Sequence, residues 1–226
     1  MTHLLKLELK KISIKRYILY SFIGILFSMV FVFVGLNDST TKHYDYRTAF
    51  QMIGLVFCFY YIILFSVLTV TYIINEYTNK TILVLFSYPV DKRKLILVKL
   101  LLILLLIVIS IIIGYIFCGT FVIILDKYSN VVNGDFQLSV LSYWIPTAVK
   151  AILMFSSLGV WTFIAGMIKK SVPTTLVSSM IFIYLRQFIL AGTDTTEDSW
   201  LAVIIMIALT AAGVYYILTH KVKQID

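Results

Sequence analysis

Charge is scarce in this chain, and what is missing narrows its chemistry at once. Charged residues make up 13% of the 226, against roughly 25% in a soluble domain, while hydrophobic residues reach 61%. That balance leaves no stretch from which a water-soluble domain is built. The 2 cysteines, Cys58 and Cys118, both lie inside apolar runs; no disulfide framework or metal pattern is visible, and they read as small packing residues. A G-x-x-x-x-G-K-[ST] phosphate loop is absent, so the chain does not hydrolyse ATP by that route. His3 and His220 lie near the termini and His43 between two apolar runs, none with a spaced Cys, His or carboxylate partner. With no His, Asp or Glu in the middle of an apolar run, the arrangements used by intramembrane proteases are excluded too. The chain is not expected to be an enzyme in its own right.

What is present is apolar length. Runs of roughly 20 residues, each long enough to cross a hydrocarbon core of roughly 30 Å, recur along the whole chain. Six are read, at about 17–36, 51–74, 95–125, 144–168, 172–190 and 200–219. The expected fold is an all-α membrane protein, one transmembrane domain over residues 1–226. The first run is too long for a cleavable signal, no small-residue cleavage site follows it, and more spans come after. The third exceeds what one crossing needs, so its external end is expected to project, tilt or bend. No repeat relates the two halves, which gives no support to an inverted-repeat carrier.

The net charge of +8 sorts by membrane side and does not mark a nucleic-acid surface. With both termini cytoplasmic, Lys6, Lys10, Lys11, Lys15, Arg16, Lys80, Lys92, Arg93, Lys94, Lys99, Lys169, Lys170, Lys221 and Lys223 fall inside. Only Lys42, Arg47 and Lys127 fall outside, a strong positive-inside asymmetry. The external loops are short, so any ligand is met within the membrane or at its surface. Before the first span, "MTHLLKLELKKISIKRY" mixes Leu and Ile with Lys. It reads as an interfacial helix lying in the inner headgroup layer.

Two cations fall inside apolar runs. Lys150 lies close to Trp144 and reads as snorkelling to headgroups beside an aromatic belt. Arg186, in "MIFIYLRQFILAG", is deeper. It either pairs with Asp194 or Glu197, or belongs to a short re-entrant element at 186–192 between helices 5 and 6, or contacts a ligand. Tyr60 and Tyr61, in "FCFYYIILF", are packing residues or line a path for amphipathic molecules. Ser110, Gly114, Ser156, Gly159 and Gly166 offer small surfaces where helices approach closely.

The stretch "NEYTNKTILVLFSYPVDKRK" between the second and third spans cannot cross a bilayer. Residues 81–88 form a short apolar arm, and Pro89, without an amide proton, breaks the chain. Asp91 is placed to cap the next helix. That helix's first turn carries Lys92, Arg93 and Lys94, which oppose its dipole and suit anionic headgroups or an acidic partner. The result is a cytoplasmic hairpin with Leu83, Leu85 and Phe86 in its short arm, read as a partner-docking element or an interfacial turn.

The order Asn75-Glu76, Lys80-Thr81, Leu85, Ser87, Pro89, Arg93 and Lys99 resembles the pattern of type-2 ABC transporter permeases. There a glutamate precedes a Gly/Lys-Thr pair, a leucine stretch, a Ser-x-Pro turn, a basic residue and a lysine entering the third span. The opening "LLKLELKK" and the six-span layout are similar as well. Lys80 departs from the glycine of many members. Within the family, "NEYTNKTILVLFSYP" looks most like permeases that export bacitracin, lantibiotics and related peptides in the cell membrane of Gram-positive bacteria. The resemblance implies two separate ABC ATPase subunits, a second permease copy, identical or not, and surrounding lipid. ATP and Mg would sit on the ATPase, with no cofactor in this chain. Glu76, Lys80 and Thr81 would orient a coupling helix, Leu83, Leu85 and Phe86 would fill a cleft of the ATPase, and Pro89 would set the angle. Arg93 and Lys94 would meet lipid or acidic ATPase residues. Tyr60, Tyr61 and Arg186 are the candidates for a substrate path. A stand-alone secondary carrier or structural membrane protein is the other reading, although Arg186 is its sole candidate for ion coupling.

Overall fold

A computed structural model describes residues 8–9, 13–36, 45–78, 92–129, 138–191 and 198–221. Among these there are helices and no strand, as lipid demands of a backbone that must satisfy its own hydrogen bonds. Helix α1 is Ile14–Leu36. Helix α2 is Tyr46–Thr69 and continues through a π-helical turn, Val70–Ile74, into a last turn, Asn75–Thr78. Helices α3, Lys92–Ser129, and α4, Leu138–Lys169, are followed by α5, Val172–Ala191, and α6, Asp198–Tyr216, which ends in a second π-helical turn at Ile217–Lys221.

Five of these are long and apolar enough to cross a membrane: α1, α2 with its extension, α3, α4 and α6. At 38 residues, about 57 Å, α3 outruns a hydrocarbon core by a wide margin and does so without a break. Helix α5 falls outside the five. It runs unbroken through Arg186 and Gln187 to Ala191, so Arg186 belongs to this helix and not to a separate re-entrant piece. Any such element between α5 and α6 would fall on residues 192–197, outside the described ones. Of the expected N-terminal helix only Glu8 and Leu9 are described, both helical.

The chain divides into two compact units. The first comprises Met1–Ser13, Tyr61–Val108 and Leu153–Asp226. Its clearest feature is an α4–α5 hairpin whose tight turn sets Lys170 in the left-handed region, at φ 48°. Gly166 faces Thr175, Trp161 lies 6.1 Å from Phe182, and the Arg186 guanidinium lies 5.1 Å over the Phe155 ring. The paired numbers move in opposite directions at a constant register, so the two helices pack antiparallel along their length. Along α2 and α4 the numbers rise together instead. Phe65 packs where a Gly159 side chain would begin, with ring carbons 2.6 Å from that point, and Ile74 does the same at Gly166, at 3.2 Å. These glycines permit the close approach of two parallel helices that packing in lipid relies on.

The second unit comprises Ile14–Tyr60 and Ile109–Ile152. Here α1 and α3 run parallel, tied by buried hydroxyls: Tyr17 to Ser110 at 2.5 Å, Ser21 to Ser110 at 3.1 Å and Ser28 to the Cys118 thiol at 3.1 Å. Helix α2 runs antiparallel to α3, with Phe57 edge-on to Tyr115 at 4.9 Å and the Tyr46 hydroxyl donating to Asp126. Phe50 stacks on Trp144 of α4 at 4.9 Å, and Trp144 fills the space over Gly119. Both cysteines are buried and unbridged. The helix pairs traced within the units thus follow one pattern, with α2 and α4 parallel and α4 and α5 antiparallel in the first, and α1 and α3 parallel and α2 and α3 antiparallel in the second.

Candidate functional site

The last turns of α2 and the first turns of α3 converge on a buried cation. Lys99 is 5% exposed, about two turns inside α3, between Val98 and Leu100. A bare ammonium in such surroundings is strongly disfavoured unless it is paired and hydrogen-bonded. Both conditions hold. The Lys99 Nζ donates to both oxygens of Glu76, in the turn Asn75–Thr78, and to the Tyr72 carbonyl at 3.3 Å. A second carboxylate, Glu8, sits 3.8 Å away and is itself buried. Tyr72 lies in the π-helical turn at Val70–Ile74, a geometry that recurs at functional sites. The cluster therefore joins three pieces of chain: residue 8, the end of α2 and the start of α3. Its two carboxylates stand close to one ammonium, so removing the cation would leave the buried Glu8 and the partly exposed Glu76 repelling each other.

This arrangement has a mechanical consequence. Residues 79–91 leave α2 three residues after Glu76 and re-enter helix seven residues before Lys99. The Glu76–Lys99 pair thus ties the two strands of chain that lead into and out of that segment. Of the residues expected to couple it to a partner, Lys80, Thr81, Leu83, Leu85, Phe86 and Pro89 lie outside the described residues, as does Asp91. Glu76 is inside the cluster, while Arg93 is half-buried and Lys94 exposed in the first turn of α3. Lys170 adds a cation near the same end of α2, 6.0 Å over the Tyr77 ring.

The expected path residues are dispersed. The Tyr60 hydroxyl donates to the Tyr20 carbonyl and its ring covers Gly24, whereas Tyr61 is buried at 1% exposure. Arg186 is half-buried against Phe155, its Nε sequestered with no hydrogen-bond acceptor. Among the described residues no group of His, Cys, Asp or Glu is placed to hold a metal ion.

Two members of the buried cluster, Glu8 and Lys99, were not expected as site residues. Lys99 counts among the inside cations, yet it sits in "LILVKLLLILLL", where no free ammonium is stable. Glu8 is the lone acid in "LLKLELKK", a signal of the same kind. What sequence spacing does not give is their meeting, 91 positions apart.

Known proteins fix what this bundle is. A family model described as ABC-2 family transporter protein matches residues 4–186, from the N-terminal segment that contributes Glu8 to Arg186 in α5. The chain belongs to the ABC-2 transporter family. Members of this family are the transmembrane component of ABC transporters and not their ATPase, and they normally work with ABC ATPase partners. This ABC-2 protein is accordingly a multi-pass membrane protein. It is similar to the uncharacterized protein YcbO of Bacillus subtilis (strain 168), with 28% identity over 221 residues, covering 95% of this chain and 94% of the relative. No solved structure matches it.

Proposed function

We propose that this ABC-2 chain is the permease of an ATP-driven exporter, with residues 79–91 as its coupling hairpin and the Glu76–Lys99–Glu8 cluster as the rigid base of that hairpin. The observation that carries the reading is the buried pair that ties both ends of the segment. A hairpin moves its parent helices only if force at its tip is not lost in bending at its root, and a buried, fully paired ammonium provides that stiffness. Two ABC ATPase subunits would seat Leu83, Leu85 and Phe86 in their clefts, and their closure on ATP would displace α2 and α3. The cation distribution supports cytoplasmic termini, which put the hairpin on the ATPase side, and α5 then serves as a sixth crossing. A second permease copy completes the transporter.

The proposed cargo is an amphipathic peptide or peptide-like antibiotic taken from the membrane, since short external loops provide no capture domain. Export of a product and immunity to a foreign one are two uses of the same machine. Replacing Leu85 and Phe86 together by aspartate is expected to abolish both co-purification with the ATPase and ATP-dependent export. If association and export are unchanged, the hairpin is not the coupling element. A susceptibility panel of a deletion strain then identifies the cargo.

A further inference from the structure

Helix α4 carries a proline in its interior. Pro146 has no amide proton, so the Ser142 carbonyl receives no helical hydrogen bond from position 146, and the pyrrolidine ring crowds the preceding turn. At the next position the Thr147 hydroxyl donates to the Tyr143 carbonyl at 2.8 Å, a back-bond that also bends helices. The two turns before this joint, residues 138–145, pack on α2 and α3 within the second unit through rings. Trp144 stacks on Phe50 at 4.9 Å and fills the space over Gly119, and the Arg47 guanidinium lies 4.3 Å over the Tyr143 ring. Contacts of these kinds are individually modest. The Trp144 indole Nε1 is buried with no acceptor among the described residues, a cost that leaving this position would relieve. The frame it rests on is fastened differently. The Tyr46 hydroxyl of α2 donates to Asp126 of α3, and Phe57 packs edge-on to Tyr115. A bend at Pro146 therefore parts the outer turns of α4 from two helices that stay together.

We propose that residues 138–145 of α4 are a gate hinged at Pro146, closed by Trp144 over Gly119 and opened when these two turns swing away from α2 and α3. Gly119 is the seat of the gate. A Cβ there would fall 2.4 Å from the indole ring, too close for the closed position. In the proposed topology this end of the bundle is external, so the gate governs the side on which cargo leaves. Only that use rests on the transporter reading; the hinge motion needs no ATPase.

The full-length protein is tested alone in lipid vesicles, with Cys58→Ala and Cys118→Ser so that spin labels attach only at S142C in α4 and Y128C in α3. Both positions are exposed, and serine at 118 keeps a hydroxyl for Ser28. Pulsed electron resonance then reads the distance between the labels. A bend of about 25° over these two turns, about 12 Å of helix, moves the α4 label by about 5 Å. The protein with Pro146 and Gly119 intact is expected to show a short distance and a minor component about 5 Å longer, which P146A removes. G119A should make the longer distance dominant, and P146A added to G119A should return most of it to the short one. F50L loosens the stack without a new clash and should shift the distances the same way, which covers a failure of G119A to fold. A short distance unchanged in both G119A and F50L overturns the proposal, because the indole then turns aside and α4 does not swing. So does a shift as large with P146A as without it, because the hinge then lies elsewhere. With no ATPase present, a negative result leaves the coupling hairpin untouched. A failed association with the ATPase, in turn, leaves the label distances unchanged.

Discussion

Lys99 and Arg186 are both cations set inside apolar helices of the same compact unit, and they are treated in opposite ways. Lys99 is enclosed by a carboxylate that uses both oxygens, a backbone carbonyl and a second carboxylate. Arg186 has an aromatic ring and an unanswered N–H. The first is an internal fastening between chain segments. The second is a charge whose counterpart is not supplied by the described part of the protein. A charge inside an apolar stretch is costly in either case, and the two differ in how that cost is met: by carboxylates at Lys99 and by a ring face at Arg186.

The same chemical change at the two positions should break the comparison if it is wrong. K99M leaves the buried Glu8 and the partly exposed Glu76 without their cation and should cost about 2–3 kcal/mol, less than a fully buried pair would, read as a lower unfolding temperature in detergent. Replacing Lys99 and Glu76 together by methionine should restore most of that loss, because an apolar pair needs no compensation. If the double variant is as unstable as K99M, the pair is not the fastening described. A smaller effect is expected of E8Q. Its carboxylate stands 3.8 Å from the ammonium, beyond hydrogen-bond reach, and its loss should cost about 1 kcal/mol in the same measurement. R186M should cost least. The lost ring contact, about 0.5–1 kcal/mol, is offset by removing an unpaired charge from apolar surroundings, so the unfolding temperature should barely move. A large drop for R186M would make Arg186 a second structural fastening.

Much of the architecture was legible beforehand, for a reason particular to lipid. A backbone in hydrocarbon must be helical, so an apolar run of sufficient length specifies an element and its limits together. The helices begin and end within a few residues of the runs, and the long third run becomes α3, extended and unbroken. Five helices qualify as crossings by length and composition. The family pattern around Asn75–Lys99 is confirmed at the level of the ABC-2 transporter family, while the peptide-exporter subtype remains part of the proposal.

The site was less legible. Glu76 and Lys99 both stood in the family motif, but only Glu76 was expected as a site residue; Lys99 was grouped with the inside cations, and Glu8 was passed over. Helical periodicity shows which residues share a face of one helix. It says nothing of which faces meet when 22 residues, Glu76 to Lys99, separate the partners, still less across the 90 between Glu8 and Lys99. Tyr60 shows the same limit. Its aromatic cluster read as packing or as path lining, and the structure adds that its hydroxyl donates to the Tyr20 carbonyl and its ring covers Gly24.

By itself, then, the sequence determined that this chain lives in a membrane and roughly where its helices run. Each follows from composition and spacing along one dimension, because lipid penalises unsatisfied backbone and charge wherever they occur. Only the tertiary structure decided which buried charges are answered. Pairing depends on what distant segments bring within about 4 Å, and no spacing rule reaches that far.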